Sequence, residues 1–117
     1  MVYLLMIYAN EADWTTKTPA EMAPVMRAHE QLERDLRKAG TYRGCGGLAP
    51  TSAATTVRLG AGKPVITDGP YAESREQFGG YYLIDAKDLD EALAVAARMP
   101  GMGNRAVEVR PVLDFRT

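Results

Sequence analysis

The first strand of this sequence is apolar on both of its faces. Residues 2–9, "VYLLMIYA", carry no charge and are rich in residues that favour strands. Alternate residues of a strand point to opposite faces of its sheet, and both alternate sets in this run are apolar or aromatic. The run "GGYYLIDA" at residues 79–86 repeats the pattern at its centre. Because a sheet with one wet face normally alternates apolar with polar residues, these two strands need a cover on each face.

The first helix is predicted by a capping signal. Thr18 supplies a capping hydroxyl, Pro19 suits the first helical position, and Glu21 lies three residues after the cap. These residues predict a helix over 19–39. Pro24 removes one hydrogen bond within the helix, so a start one turn later remains open.

A second helix and a last strand follow near the end of the chain. Asp88 and Glu91 repeat the capping pattern and predict a helix over 89–99, which ends before a Pro-Gly pair. The run "RAVEVRPVLDF" at residues 105–115 alternates valines with charged side chains, and it predicts a strand with one polar face.

The middle of the chain is a series of short strands. Residues 41–86 contain several β-like runs separated by glycine and proline, and "GAGK" at 60–63 is predicted to be a hairpin turn. The fold class is therefore α+β: one domain over 1–117, a ferredoxin-like sandwich with an enlarged central β-hairpin region and two helices on one face of an antiparallel sheet. Two helices cover one face only. We expect the same face of a second subunit to cover the other, which gives a homodimer.

Composition excludes several partners. The formal net charge is −1, with acidic and basic residues interspersed, so neither nucleic acid nor an anionic membrane is predicted as a partner. The apolar opening is too short to span a bilayer and lacks the features of a secretory signal, which indicates a cytoplasmic protein. One cysteine and one histidine are too few ligands for a zinc site. We expect no metal and no cofactor.

Residues 67–112, "TDGPYAESREQFGGYYLIDAKDLDEALAVAARMPGMGNRAVEVRPV", carry a family resemblance. Together with the first strand and "LAPTSAATTVR" at 48–58, they resemble the YCII-related superfamily, and within it the branch named for an Asp-Gly-Pro-Phe tetrapeptide, the DGPF domain. Tyr71 stands where that name has phenylalanine. This substitution keeps the ring and adds a hydroxyl.

The resemblance implies a dimeric α/β barrel built from ferredoxin-like units. It also implies a family whose biochemical role is largely unassigned, with some relatives linked to extracytoplasmic-function sigma factors. A histidine and an aspartate have been proposed as a catalytic pair in the wider superfamily. The resemblance by itself does not place that pair in this sequence, where the candidates are His29 and Asp68.

Asp68 begins the turn "DGP", and two interpretations remain open. Its carboxylate can accept backbone N–H bonds of the turn, while Gly69 supplies an unusual φ and Pro70 a fixed one. Alternatively, a carboxylate at a strand end beside a cleft can act as a general base or bind a cation. We expect Asp68 to form the turn first and to serve catalysis only if its second oxygen reaches the cleft.

His29 is predicted to face the sheet. At 100° per residue it falls near the centre of the apolar stripe of the first helix. The residues of that stripe are Met22, Val25, Met26, Leu32 and Leu36. One interpretation is a buried histidine bonded to a carbonyl or a tyrosine, and the other is an acid–base group that reaches a cleft.

Four further residues are candidates for ligand binding. Arg110 alternates with the valines of the last strand and suits an anionic substrate, although pairing with Glu108 is the commoner arrangement. Tyr82 would add a hydroxyl donor if it lines a pocket. Gly69 and Tyr71, which follow the candidate carboxylate in the sequence, complete the group.

Two other features allow more than one reading. Gly79 and Gly80 permit close approach by a ligand or a neighbouring backbone, or they simply begin the strand. Cys45 lies among glycines, and the sequence alone does not identify it as reactive.

Two functions from different classes compete. One is a small-molecule enzyme with an acid–base site in a cleft at the dimer seam. The other is a non-catalytic dimeric module that binds a metabolite or a protein partner in connection with sigma-factor regulation. A cleft with convergent polar groups and an opening to solvent favours the enzyme, whereas a sealed apolar seam favours the module.

Overall fold

The computed structural model describes residues 1–114, in which helices and strands alternate along the chain. The elements are β1 Val2–Ala9, α1 Ala12–Thr15, α2 Pro19–Lys38, β2 Tyr42–Gly47, a 3-10 turn Thr51–Ala53, β3 Thr55–Arg58, β4 Val65–Asp68, β5 Gln77–Asp85, α3 Leu89–Ala96 and β6 Arg105–Pro111. Phe115, the last residue of the predicted final strand, lies outside the described residues.

Four strands form the main sheet. They pair antiparallel in the order β2-β5-β1-β6, while β3 and β4 pair with each other in a separate two-stranded hairpin, here called the arm. When the arm is set aside, the sheet strands follow the order second, third, first, fourth, which suits a ferredoxin-like unit. The predicted α+β fold with an enlarged central hairpin is confirmed.

Both long helices pack on the same face of this sheet. Leu5 of β1 and Ile84 of β5 are fully buried at the centre of the core. They pack in one cluster with Leu32 of α2 and with Ala92 of α3. The predicted arrangement of two helices on one face is therefore confirmed.

The capping box of α2 forms as the sequence predicts. The Thr18 hydroxyl accepts a bond from the Glu21 N–H at 3.1 Å, and the Glu21 carboxylate accepts one from the Thr18 N–H at 3.0 Å. The helix begins at Pro19 and continues through Pro24. The later start considered above is not observed, because the cap and the bond from the Met22 N–H to the Thr18 carbonyl at 3.0 Å already order the first turn.

Several elements differ in extent from the prediction, and β6 ends at Pro111 rather than at residue 115. Residues predicted to be a polar loop contain the short helix α1, whose start is organised by Asn10: its side-chain oxygen accepts the Ala12 N–H at 3.0 Å. The helix α3 ends at Ala96 rather than at residue 99. There the Arg98 and Met99 N–H groups bond three residues back, which tightens the last turn and ends the regular helix.

The other face of the sheet, here called the open face, carries apolar side chains without a helix over it. Leu4 pairs with Leu83 across β1 and β5, and Met6 pairs with Tyr81. All four are only partly buried. Within residues 1–114, no helix is long and apolar enough to cross a membrane.

Candidate active site

A cavity of about 390 Å³ lies between the N-terminal half of α2 and the sheet. Its upper wall is formed by Met22, Val25, Met26 and His29 of α2. Trp14 of α1 also lines it. The walls are largely apolar, as is usual for a site that binds a small molecule.

The cavity lies where two neighbouring strands, β2 and β5, carry glycine under the helix. Tyr82 of β5 fills the space opposite Cys45 of β2, and the next pair on this face is Gly47 opposite Gly80. A Cβ atom placed at Gly47 would meet no atom within 4 Å, and one at Gly80 would lie 3.2 Å from the Gly46 carbonyl oxygen and 3.7 Å from Ile7 Cδ1. The two glycines, here called the glycine row, form part of the floor of the cavity, beside Ile7 of β1.

His29 is held against Tyr82. Its Nδ1 lies 2.7 Å from the Tyr82 hydroxyl, and the two rings stack with centroids 5.8 Å apart. No residue in 1–114 bonds to its Nε2. Since every buried side-chain nitrogen or oxygen in the described residues has a partner, Nε2 is in contact with solvent. The expected bond to a tyrosine is observed, and one ring nitrogen remains for a ligand.

Burial keeps this pair neutral near pH 7. Desolvation lowers the pKa of His29 below its usual 6.5, and the positive charge of Arg105 lowers it further. Burial raises the pKa of Tyr82, so its hydroxyl stays protonated. If that hydroxyl donates to Nδ1, Nε2 carries the imidazole proton; in the other tautomer Nε2 is a base. The imidazole can therefore give or take a proton near neutral pH.

A second polar cluster borders the cavity between α2 and β2. Glu33 forms an ion pair with Arg37 at 3.0 Å, and this bond is the main cause of the lowered pKa of the Glu33 carboxyl. The Tyr42 hydroxyl lies 3.3 Å from Cys45 Sγ, and this contact, with desolvation, raises the pKa of Tyr42 to about 12. The Arg37 guanidinium also lies 4.3 Å from the centroid of the Tyr42 ring. Glu33 is therefore charged and already paired.

Two of the other polar residues that line the cavity are also bonded within the protein, and a third, Glu30, is exposed to solvent. Arg105 donates to the Met99 carbonyl at 3.0 Å and to the Gly103 carbonyl at 3.1 Å. The Gln77 side-chain oxygen accepts the Glu11 N–H at 2.9 Å. No group of three potential metal ligands lies together in residues 1–114. The chemistry of the cavity therefore centres on His29.

Asp68 lies outside this cavity, at the end of the arm. Its carboxylate accepts no hydrogen bond from residues 1–114, so the expected capping bond is not observed. The turn is ordered instead by Gly69, which has φ +108. Its N–H donates to the Ala54 carbonyl at 2.8 Å, and its carbonyl accepts the Thr56 hydroxyl at 2.7 Å. Within one chain, the structure does not bring Asp68 and His29 together.

The remaining candidates are spread over the molecule. Arg110 forms an ion pair with Glu108, which sits opposite Met6 on the open face. Tyr71 is 75% exposed and lines a second cavity, of about 900 Å³, beside the base of the arm, with the Arg58 guanidinium 5.2 Å from its ring centroid. Among the four predicted ligand-binding residues, Tyr82 is the one at the His29 cavity.

Sequence reasoning missed several residues of the cavity. Trp14 lies on α1, which was predicted to be a loop. Gly80 carried a signal, because glycine in a strand permits close approach, but its pairing with Gly47 depends on a strand register that periodicity does not give. The sequence predicts Arg105 as the first residue of the last strand. No local sequence signal indicates its bonds to the Met99 and Gly103 carbonyls.

Comparison with known proteins identifies one family. The profile of the YCII-related domain matches residues 1–116. An uncharacterized protein of Rhizobium meliloti (strain 1021) is 38% identical over 120 residues, which cover 99% of this chain and 95% of the relative.

The lowered pKa of His29 can be measured directly, because the chain has one histidine. We expect its imidazole NMR signals to titrate below pH 6.5. In Arg105→Gln, removal of the nearby positive charge should raise the pKa of His29 toward 6.5. Arg98→Gln is the matched control, since Arg98 pairs with Asp35 and does not line the cavity. A pKa of His29 above 6.5 in the parent would contradict the assignment.

The same shift predicts a pH window for stability. Above pH 6.5 the imidazole is neutral in both the folded and the unfolded chain, so it does not affect stability. Between 6.5 and the lower folded-state pKa, the unfolded state binds more protons, and the free energy of unfolding falls as the pH falls. His29→Gln should remove this fall, which lies above the range where the carboxylates of Glu33 and Asp35 protonate.

The geometry of the turn after β4 predicts a loss of stability for substitution of Gly69 and almost none for substitution of its neighbour Asp68. Gly69→Ala forces a Cβ into a left-handed conformation and should lower the free energy of unfolding by about 1 to 2 kcal/mol. Asp68→Ala should leave it nearly unchanged, because no capping bond is lost. Thermal unfolding of both variants checks this, and a larger loss in Asp68→Ala than in Gly69→Ala would show that the carboxylate orders the turn.

Proposed function

The chain belongs to the YCII-related family, and we propose that it is a small-molecule enzyme in which His29 transfers a proton. The observation that supports this proposal is the neutral His29–Tyr82 pair at the border of an apolar cavity. The cavity volume of about 390 Å³ falls within the range of small-molecule sites, about 300 to 1,000 Å³.

The position of His29 suits acid–base chemistry. Tyr82 fixes the ring through Nδ1 and leaves Nε2 for the substrate, as the orienting partner of a catalytic histidine does in other enzymes. A neutral imidazole can accept a proton from a substrate as a general base, and the imidazolium that forms can return it. The proposed step is therefore a proton transfer, of the kind that lyases, isomerases and hydrolases use. The proposal uses no atom of Asp68, whose catalytic role stays a prediction.

Conversion of small molecules tests this function. A panel of uncharged carbonyl and hydroxyl compounds is incubated with the protein in D₂O and followed by mass spectrometry, which detects both product formation and deuterium uptake. We expect conversion of at least one compound. His29→Gln should reduce its rate by about 100-fold or more, the usual contribution of a general acid or base.

Two outcomes separate the enzyme from the binding module. If a compound shifts the His29 NMR signals in a saturable way but no compound is converted, the protein is a metabolite-binding module. If His29→Gln converts the compound at the parent rate, the role of His29 is contradicted. Tyr82→Phe is a second variant of the same pair and is measured in the same way.

We also propose that the protein is a homodimer whose open faces pack together. Leu4 and Leu83 pair on this face, and they lie on the two inner strands of the sheet. Water contact with such a surface is unfavourable. A second copy offers an apolar face of the same shape around a two-fold axis.

Sedimentation velocity at micromolar concentration checks the dimer. The parent should have about twice the chain mass of 12.8 kDa, and Leu83→Lys should shift it to the monomer because a charge is buried at the contact. Leu93→Lys on the exposed side of α3, where Leu93 is 46% exposed, is the matched control. A folded monomeric parent would refute the proposal.

A further inference from the structure

We infer that the cavity is a slot for a flat ring with one hydroxyl or carbonyl oxygen. The inference rests on the proposed function, since it names the class of molecule that the His29 site takes. It is carried by the glycine row, which leaves two paired positions in the floor of the cavity without side chains.

The depth of the slot is set by the packed core beside it. Leu32 and Leu36 are buried one and two turns beyond His29 along α2, in one cluster with Leu5 and Tyr82 of the sheet. This contact fixes the height of the helix above the strands. Over the glycine row the helix keeps its side chains and the sheet has none, so the empty space is one layer of side chains deep.

A flat ring fills such a space better than a puckered one. Carbon atoms in contact are about 3.5 to 4.0 Å apart, so a planar ring can lie on the bare peptide groups of Gly47 and Gly80 while it touches the side chains above. A saturated ring of the same skeleton has hydrogens on both faces and is thicker. It would press on the floor, which cannot move because the backbone belongs to the sheet ladder.

The side chains around the cavity suit an aromatic ring. Met22, Met26 and Met102 line the cavity together with Trp14. Thioether sulfurs make favourable contacts with aromatic rings, and methionine side chains adapt to the shape of a ligand. The indole can contact a second ring at its edge or face.

The polar groups fix the orientation of the ligand. Glu33 is paired with Arg37, and Arg105 is held in place by backbone carbonyls, while the exposed Glu30 lies at the border of the cavity. The Nε2 atom of His29 is free to bond a single oxygen. The ring therefore lies on the glycine row with its oxygen toward His29.

A matched pair of probes tests the inference. 2-Naphthol and decahydro-2-naphthol share a carbon skeleton and a hydroxyl but differ in flatness. Each is titrated into the protein while the His29 imidazole signals and the amide signals of Gly47 and Gly80 are followed by NMR. We expect both sets of signals to shift with 2-naphthol, and its Kd to be lower by about tenfold or more, the scale of discrimination by steric fit.

A second experiment places a side chain in the floor of the cavity. Gly47→Leu places a side chain where a Cβ meets no atom within 4 Å, so it should weaken 2-naphthol binding by about tenfold or more. Gly60→Leu makes the same change in the loop of the arm, where space is also open, and should leave the Kd unchanged. If Gly47→Leu does not fold, Gly47→Ala, a smaller filling, should give a weaker effect of the same sign.

The outcomes are distinguishable. Equal Kd values for the two probes, with His29 shifted by both, would overturn the flat slot while the His29 site stands. Unchanged binding by a folded Gly47 variant would overturn the glycine floor. If neither probe shifts His29, both the slot and the proposed site are wrong.

Discussion

A helix that lies over a row of glycines is the constraint on which the site depends. Elsewhere on this face, side chains from α2 and the sheet interdigitate, and Leu5 and Ile84 are fully buried. At Gly47 and Gly80 the sheet contributes no side chain. The helix cannot descend to close the gap, because the adjoining core is packed to the density of a solid and resists deformation. The space that remains is the cavity.

The same core orients the group that gives the cavity its chemistry. Tyr82 is 3% exposed and belongs to the central strand β5, so its hydroxyl has a fixed position. That hydroxyl holds Nδ1 of His29, and burial lowers the pKa of the imidazole. The structure shows a half-buried histidine bonded to a tyrosine through one ring nitrogen, and the proposed acid–base role uses the other ring nitrogen, which meets solvent.

Much of the fold was predictable because its signals are local. The hydroxyl of Thr18 and the carboxylate of Glu21 specify the start of α2 through a short-range hydrogen-bond pattern. The rotation of 100° per residue along this helix places His29 toward the sheet. The site was less predictable. The pairing of Gly47 with Gly80 depends on register between distant strands. Asp68 does not make the expected capping bond, because Gly69 orders the turn through its backbone.

The central claim is that a ligand lies on the glycine row with its oxygen at His29, and intermolecular NOEs measure this most directly. With 2-naphthol bound, the ring protons should show NOEs to the Hα atoms of Gly47 and Gly80 and to the methyl groups of Met22 and Met26, all of which line the cavity. NOEs to Leu83 or Tyr81 of the open face, without any to the two glycines, would contradict the account.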